Sequence, residues 1–242
     1  MIIAIDGPAA SGKSTVAKLL AERLNFTHFD TGAMYRAVTW FALRQKVNIS
    51  DEKALVALCQ KAKMTFAPEG TAKKVFLNGQ KITDEIRSPE VDAGVSMVAQ
   101  IPKLRELLVK EQRQIGEKGN FVVDGRDIGT AVFPKAPLKI FLTAPVNERA
   151  KRRQADFLNR GEDVGQVWLE KRIISRDKID STRKSNPLSK AEDAHVIDTT
   201  QKPVDQVVDE ILALYQKLES RQEQKRYIKD EQRELPTRNS EP

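Results

Sequence analysis

Near its start the chain reads GPAASGKS from Gly7 to Ser14, a complete match to the pattern G-x-x-x-x-G-K-S, and no other segment limits the fold so narrowly. Glycine lets a backbone curl around phosphate groups with its N–H groups pointing inward, and a helix that begins there adds its positive N-terminal end. In this pattern the lysine serves the β- and γ-phosphates and the serine hydroxyl serves Mg²⁺. A strand-like run, residues 2–5, precedes the segment, and an amphipathic stretch, residues 15–24, follows it. The sequence therefore predicts a nucleoside triphosphate site, although the pattern alone fits a kinase, a GTPase or an ATPase motor.

Short apolar runs alternate with helical patterns along most of the chain. A continuous apolar run such as residues 121–123 is typical of a parallel strand that is buried on both faces. Similar runs occupy residues 2–5, 26–29, 138–142 and 196–197. Apolar residues recur at helical spacing over residues 34–44, 55–63, 90–116 (with a break near Ile101-Pro102) and 204–218. This alternation predicts an α/β fold with a doubly wound, central parallel sheet flanked by helices.

Two stretches depart from the alternation. Residues 64–89 hold short strand-like runs between turns at Pro68-Glu69-Gly70 and Asn78-Gly79, which predict a small antiparallel β insertion. Residues 219–242 are almost wholly polar and charged, and cannot bury enough apolar surface to fold alone. The sequence thus predicts one domain over residues 1–218, followed by a tail that is either a frayed helix or disordered.

Composition narrows the class of protein. Hydrophobic residues make up 40% and charged residues 31%, as in an ordinary globular domain. The single cysteine, Cys59, excludes an internal disulfide framework and, with only two histidines, argues against a structural zinc site. No apolar run approaches the roughly 20 residues that span a bilayer, and no signal-peptide core precedes Asp6, so we expect a cytoplasmic protein with no membrane partner. The net charge of +7 favours anionic partners, either a phosphate-rich substrate or a nucleic acid.

A group of charged residues follows the apolar run at 121–123. Asp124 ends that run, where an acid can hold the Mg²⁺ shell or can simply cap a turn. Arg126 and Asp127 come next, in the crevice where this fold class binds ligands. Arg126 could bind a phosphate and Asp127 could accept hydrogen bonds from a base amino group, or both could belong to a solvated loop.

A second group follows the run at 26–29. Asp30 or Thr31 is a suitable cap for the helix that begins there. Arg36 falls about one turn further along, where it could bind a monophosphate.

Basic residues also cluster twice in the last third of the chain. One cluster spans residues 149–160 and the other spans residues 172–184, where Arg172 and Arg176 share a helical face. Such runs are usually solvated helix surfaces. Phosphoryl transfer, however, requires positive charge around the oxygens of a loose transition state. An arginine-rich segment that closes over ATP would supply that charge and exclude water.

Taken together, these stretches resemble one family, the bacterial cytidylate kinases. The matching segments follow the family's order from Ile3 to about Pro187, and they read IAIDGPAASGKST, DTGAMYRA, DEIRSPEV, VDGRDIGTAVFP and RDKIDSTR leading to NPL. The resemblance implies a P-loop three-layer fold similar to adenylate kinase, with the β insertion in the monophosphate-binding region and a mobile helical lid at about residues 149–165. It also implies transfer of the γ-phosphoryl group of ATP to CMP or dCMP, with Mg²⁺ and without a covalent enzyme intermediate.

The resemblance further implies roles for individual residues. The transfer itself would use Lys13, Arg126, Arg176 and Arg183. ATP would be bound by Gly7, Pro8, Ala9, Ala10, Ser11, Gly12, Lys13, Ser14, Thr15 and Arg152. CMP would be bound by Thr31, Arg36, Ser96, Arg105, Arg126, Asp127, Asp180 and Arg183. Within that set, Ser96, Arg105 and Asp127 would recognise the cytosine edge, and Asp180 would hold a sugar hydroxyl. Ser14 and Asp124 would hold Mg²⁺, partly through water.

Two rival functions remain open at this point. A kinase with another acceptor, such as UMP or a metabolite hydroxyl, would share the phosphate loop, and a panel of acceptors would separate it. A nucleotide-binding regulator or nucleic-acid-binding protein would share the net charge, but aromatic residues are only 6% and are not interleaved with the basic runs as a stacking surface requires. We therefore expect no nucleic-acid partner. We also expect a monomer, because no long apolar stripe is left over.

Overall fold

The described chain, a computed structural model of residues 1–69, 72–159 and 161–234, alternates strands and helices. The strands are β1 (Ile2–Asp6), β2 (Thr27–Asp30), β3 (Met64–Glu69), β4 (Ala72–Leu77), β5 (Gln80–Lys81), β6 (Phe121–Asp124), β7 (Leu138–Thr143) and β8 (His195–Asp198). The α-helices are α1 (Lys13–Leu24), α2 (Gly32–Arg44), α3 (Glu52–Lys61), α4 (Pro89–Val98), α5 (Pro102–Gly116), α6 (Val146–Leu158), α7 (Gln166–Thr182) and α8 (Val204–Glu234). A 3₁₀ turn covers Glu85–Arg87, and a π-helical turn covers Ile128–Val132.

Five strands form the predicted parallel sheet, in the order β2-β6-β1-β7-β8. Strand β1 lies at its centre, with Ile3 opposite Val122 on one side and opposite Leu138 on the other. Parallel strands end at a common edge, and here Asp30 lies directly opposite Asp124 in the pairing of β2 with β6. The sheet therefore gathers at one edge the segments that follow β1, β2 and β6.

Helices cover both faces of this sheet, which confirms the predicted three-layer architecture. One face packs against α1 and α8, whose fully or almost fully buried residues include Val16, Leu20, Val208 and Ile211. The other face packs against α2 and α5, where Met34, Val38, Leu104 and Leu108 are fully buried. The two apolar faces of the sheet explain why its central strands β1 and β6 begin as continuous apolar runs rather than alternating ones.

The predicted insertion is a three-stranded antiparallel sheet in the order β3-β4-β5. Asn78 and Gly79 connect β4 to β5 with φ values of +50° and +83°, as expected for this hairpin signal. The predicted turn at Pro68 was placed too early, because β3 continues through Pro68 to Glu69. Strand β3 lies at the edge of its sheet, where proline is tolerated. Gly70 and Thr71 lie outside the described residues.

The last helix is longer than its apolar pattern predicted. It begins at Val204 as expected, but it continues past Leu218 to Glu234. Its fully buried residues, Val207, Val208 and Ile211, all lie in its first third, and the extension is rich in the good helix formers Glu, Gln, Lys and Arg. Residues 235–242 of the predicted tail lie outside the described part. Although α8 has 31 residues, neither it nor any other helix in the described ranges is apolar enough to cross a bilayer.

Candidate active site

The loop between β1 and α1 curls around its own lysine. Gly7 and Gly12 have φ values of +150° and +91°, and a Cβ atom at Gly7 would lie only 2.2 Å from the carbonyl oxygen of Leu142. Glycine is therefore required at Gly7 by the close approach of β7. Lys13 Nζ donates hydrogen bonds to the Pro8 carbonyl oxygen at 2.6 Å and to Ser11 Oγ at 3.3 Å. The loop thus holds an ammonium group within its curve.

Positive charge accumulates around this ammonium group. Burial lowers the pKa of Lys13 well below its ordinary value, and the neighbouring Arg126 and Arg176 lower it further. Burial, together with Arg126 and Arg36, also lowers the pKa of Arg176 to about 10. Cations that lower one another's pKa repel each other, and an anion bound among them would relieve that repulsion. The arrangement is electrostatically suited to a phosphate-bearing ligand.

An acid at the end of β6 is tied to the first turn of α1. Ser14 Oγ donates a hydrogen bond to Asp124 Oδ2 at 2.7 Å, and His28 Nε2 contacts Asp124 Oδ1 at 2.7 Å. Although burial alone would raise it, the hydrogen bonds from His28 and Ser14 hold the pKa of Asp124 below its ordinary value. Hydroxyl and carboxylate oxygens are the ligands that Mg²⁺ prefers, usually together with phosphates and water. The pair fits that ion, and the described residues contain no cluster of three or more His, Cys, Asp or Glu that would bind a metal by itself.

Another acid, Asp6, fixes the loop that follows β6. Its carboxylate accepts hydrogen bonds from the backbone N–H groups of Ile128 at 2.8 Å and Gly129 at 2.7 Å. Burial raises the pKa of Asp6 to about 6, against the lowering effect of those two bonds. Because Asp6 directly precedes Gly7, the phosphate loop and the segment containing Arg126 and Asp127 are held in one fixed relation.

Most of the residues predicted to bind CMP surround one small cavity of about 60 Å³ beside this segment. The predicted residues that line it are Thr31, Ser96, Arg105, Arg126, Asp127, Arg176, Asp180 and Arg183. They come from α4, α5, α7 and the loops after β2 and β6, so residues distant in sequence meet at the edge of the sheet. Tyr35 also lines the cavity, and its ring centre lies 5.2 Å from the Arg105 guanidinium.

Ion pairs organise the walls of the cavity. Asp127 accepts hydrogen bonds from Arg105 Nη2 at 2.5 Å and from Arg183 Nη2 at 3.0 Å. Asp180 accepts one from Arg126 Nε at 2.9 Å and lies 3.7 Å from Arg183 Nη1. Arg105 is only 1% exposed, so its charge depends on Asp127 for compensation. The acids and arginines therefore fix one another's positions.

Arg36 is the one predicted CMP ligand that does not line the cavity. Its Nη2 donates to Asp92 Oδ1 at 2.6 Å. Asp92 also accepts a hydrogen bond from Arg153 and lies 3.6 Å from Arg176 Nη1. Asp92, which the sequence did not identify as a site residue, thus connects Arg36 to Arg176 in the wall of the cavity.

Nearby, the predicted caps of α2 divide their roles. Asp30 Oδ1 accepts the N–H of Ala33 at 3.1 Å, whereas Thr31 Oγ1 donates to the Asp124 carbonyl oxygen at 2.8 Å. Asp30 is therefore the cap, and the Thr31 hydroxyl connects α2 to the end of β6.

Arg149, the first arginine of the predicted lid, binds α6 to the phosphate loop. Arg149 is buried, and it donates to the carbonyl oxygens of Ala144 at 2.8 Å and Ala9 at 3.0 Å. Arg149 Nη1 also donates to Asp177 Oδ2 at 2.5 Å, while Asp177 Oδ1 accepts the N–H of Ala9 at 3.0 Å. Residues from α6 and α7 therefore both bind the backbone of the phosphate loop at Ala9.

The other basic residues of the two clusters differ in their surroundings. Arg152 donates to Thr199 Oγ1 at 2.9 Å and to the Thr199 carbonyl oxygen at 2.5 Å, and it lies next to Gly12. Arg172 is exposed and stacks 4.7 Å from the Trp168 ring centre, away from the cavity. Arg160 lies outside the described residues.

Sequence interpretation missed several residues that organise this site: Asp6, His28, Asp92, Asp177 and Thr199. Two of them could have been found. Asp6 stands between a buried strand and the phosphate loop, and Asp177 lies one residue after Arg176 inside the second basic cluster. His28, Asp92 and Thr199 lie in no recognisable pattern, and only their three-dimensional contacts identify them.

A larger cleft of about 550 Å³ lies between α1, β2 and the antiparallel insertion. Of the residues predicted to bind nucleotides, only Ser14 and Thr15 line it; its floor includes Phe29 and Phe66. Size alone would favour this cleft, but the charged groups suited to phosphates lie around the smaller cavity.

Comparison with known proteins gives one consistent result. A family model described as cytidylate kinase matches residues 3–217. Proteins named cytidylate kinase are similar to this chain over most of their length. One from Geobacillus sp. (strain WCH70) is 51% identical over 212 residues, which cover 88% of this chain and 95% of that protein. One from Limosilactobacillus reuteri (strain DSM 20016) is 49% identical over 216 residues, with coverages of 89% and 95%. One from Bacillus subtilis (strain 168) is 50% identical over 210 residues, with coverages of 87% and 94%.

Proposed function

The chain belongs to the cytidylate kinase family, and from that premise we propose how its residues divide the work of transferring the γ-phosphoryl group of ATP to CMP. The observation that carries the proposal is that one cavity at the edge of the sheet is lined by both sets of residues. Members of the CMP set and of the transfer set that line it include Ser96, Arg105, Asp127, Asp180, Arg126, Arg176 and Arg183, and Arg126 and Arg176 are close enough to Lys13 of the phosphate loop to lower its pKa.

Recognition of cytosine falls to Ser96, Arg105 and Asp127. Asp127 is held by two arginines, so its oxygens are fixed acceptors that still have unused lone pairs. They suit the amino group of cytosine. Uracil carries a carbonyl oxygen at that position, which would face the carboxylate and leave the site's buried polar groups unmatched. Asp180 would hold a sugar hydroxyl, and we expect both CMP and dCMP to be accepted.

ATP binding falls to the phosphate loop, from Gly7 to Thr15, with Arg152 of α6 beside it. Ser14 and Asp124, 2.7 Å apart, would hold Mg²⁺, partly through water. When bound, this ion would neutralise charge on the β- and γ-phosphates.

The transfer itself needs alignment and charge neutralisation rather than a strong base. The acceptor is a phosphate oxygen that is already anionic near neutral pH, so no proton must be removed before it attacks. Lys13, Arg126, Arg176 and Arg183 would surround the transferring group and stabilise the charge that develops on its oxygens. The arginine-rich lid around α6 would exclude water, and no covalent enzyme intermediate forms.

We also infer that the enzyme acts as a monomer in the cytoplasm. A reducing compartment agrees with the single, buried, free thiol of Cys59.

The test measures ADP formation from ATP and Mg²⁺ with CMP, dCMP, UMP, AMP and GMP supplied separately, for the wild type and for Asp127→Asn. We expect strong turnover with CMP and dCMP, and a loss in kcat/KM for CMP of about 10²-fold in the variant. Turnover with UMP should change less, so the ratio of kcat/KM for CMP to kcat/KM for UMP should fall. Asn is preferred to Ala because Ala would remove the acceptor that two buried guanidinium groups share, whereas Asn keeps a side-chain oxygen there.

Asp193→Asn is the control, because it removes a carboxylate that is largely exposed and that pairs, among the described residues, with Lys139. Unchanged CMP kinetics in Asp127→Asn would remove Asp127 from the recognition set. No turnover with any of the monophosphates would refute the proposed reaction.

A further inference from the structure

Three guanidinium groups from three different helices converge on the carboxylate of Asp92, in the first turn of α4. Arg36 of α2 donates to Oδ1 at 2.6 Å, and Arg153 of α6 donates to Oδ2. Arg176 of α7 lies 3.6 Å from Oδ1. This arrangement is the one that a phosphate group would receive from the same side chains.

The surroundings of Asp92 are strongly positive and largely shielded from water. The side chains of Asp92 and Arg36 are each 15% exposed, and those of Arg153 and Arg176 are 24% and 25% exposed. Although burial alone would raise it, the three arginines hold the pKa of Asp92 well below its ordinary value, so the group is ionised. Arg176 Nε is buried and has no hydrogen-bond partner among the described residues. The cluster thus has unused donor capacity for a second anion.

We propose that Asp92 is an internal counter-ion that competes with the phosphate of CMP for Arg36 and Arg176, and thereby sets the affinity of the acceptor site. This inference rests on the proposed function, because it takes Arg36 and Arg176 as ligands of the bound nucleotide. It adds a residue that determines substrate affinity and that belongs neither to the phosphate loop nor to the cavity wall.

The direction of the effect follows from charge. A single N–H cannot donate a full hydrogen bond to both the carboxylate and the phosphate. If the arginines turn to the phosphate, their ion pairs with Asp92 are lost; if they stay, the carboxylate repels the phosphate. Both cases weaken CMP binding, so removing the negative charge of Asp92 strengthens it.

The experiment compares Asp92→Asn with the wild type by calorimetric titration of CMP into ATP-free enzyme and by steady-state kinetics. We expect the dissociation constant and the KM for CMP to fall about tenfold, the value of one charge-assisted hydrogen bond. The matched control is Asp156→Asn, which removes an exposed acid whose described partner is Arg153, at 3.8 Å; its CMP affinity should equal that of the wild type. An unchanged or weaker affinity in Asp92→Asn would overturn the proposal, since it would mean that Asp92 is neutral to CMP or orients the arginines for it.

A second arm uses inorganic phosphate and does not depend on the reaction. Without ligand, Asp92→Asn removes the carboxylate that three arginines share, so the variant should melt at a lower temperature than the wild type. Added phosphate should raise the melting temperature of the variant by more than it raises that of the wild type. If the variant folds only in phosphate buffer, that rescue supports the counter-ion role, and failure of phosphate to restore folding contradicts it. Absence of CMP turnover in the wild type would refute the proposed function, whereas an equal phosphate effect in both proteins would refute the role of Asp92.

Discussion

At the scale of residues, three acids of the site each form ion pairs with more than one arginine. Asp92 serves three, and Asp127 and Asp180 serve two each. Buried guanidinium groups are costly unless they are paired. Shared carboxylates let the protein keep a surplus of positive charge around the phosphate loop and still fold without substrates.

The same pairing makes stability depend on acid pH, and Asp180 provides the test. Although burial alone would raise it, Arg126, Arg176 and Arg183 hold the pKa of Asp180 below its ordinary value. A carboxyl whose folded pKa is lower than its unfolded value of about 3.9 stabilises the fold above that pH, and this stabilisation is lost as pH falls through the folded pKa. The variant Asp180→Asn has no carboxyl at this position and therefore lacks this pH-dependent stabilisation. We therefore expect the gap between the urea unfolding free energies of wild type and Asp180→Asn to shrink as pH falls from about 5 to about 3.

Parallel pH profiles for the two proteins would mean that Asp180 has the same pKa in the folded and unfolded states. Asp193→Asn is a useful comparison. The hydrogen bond from Lys139 lowers the pKa of this acid too, but Asp193 is 65% exposed and solvent screens the pair, so its gap from the wild type should change less with pH than that of Asp180→Asn.

The sequence predicted residues well where a motif required them, and less well inside charge runs. Gly7 and Lys13 follow from the chemistry of the phosphate loop. Arg172 and Arg176 look equivalent in the sequence, yet one stacks on an exposed tryptophan and the other reaches the cavity. Helical spacing identifies a shared face, but it does not show where along that face the neighbouring helix ends. Asp92 could not be predicted, because its partners are brought to it by three separate helices.

At the scale of elements, the insertion is fastened to the core by its own small apolar cluster. Val75, Leu77 and Ile82 are buried against Ala33 and Ala37 of α2. Its hairpin was predictable because Asn-Gly at a turn has a local cause. The contact with α2 was not, because an alternating strand shows that one face is buried but not what covers it.

The long final helix α8 can be shortened to test which of its residues the fold requires. Its described buried residues lie between Val207 and Ile211, Leu218 is the last described residue packed against the core cluster, and the family model ends at residue 217. A protein truncated after Ser220 should therefore keep its CMP kinetics, and its melting temperature should stay within about 2 °C of the full chain. Ile211→Ala serves as the contrast within the same helix and should cost about 2–5 kcal/mol of unfolding free energy. A large loss of stability or turnover on truncation would assign residues 221–242 a structural or catalytic role.

At the scale of the whole molecule, the order of the parallel strands does what no single motif could. It brings the segments after β1, β2 and β6 to one edge of the sheet, although more than 110 residues separate Asp6 from Asp124 in the sequence. Alternation of strands and helices predicted the fold class. The strand order itself required the structure, since several orders satisfy the same alternation.

The described surface agrees with the proposed monomer. Large apolar side chains that are exposed in the described residues are spread over six elements: Leu43, Met97, Leu158, Val167, Trp168, Ile174, Val196 and Val204. Trp168 is also covered on one face by Arg172. Light scattering after size-exclusion chromatography should give a mass near 27.2 kDa. A mass near twice that value, stable on dilution, would show that a pair of chains is the functional unit.

The attachment of Arg149 and Asp177 to Ala9 has a consequence for how the chain can vary. Both ends of the segment from α6 into α7 are fixed at the same point of the phosphate loop. Arg176 and Asp180 lie at the fixed end of α7, so their positions do not depend on the length of the connection between the helices. Val164 is packed and hydrogen-bonded to Gln154, so residues 161–163 are the part of the connection whose length evolution or engineering can change while Arg176 and Asp180 keep their register.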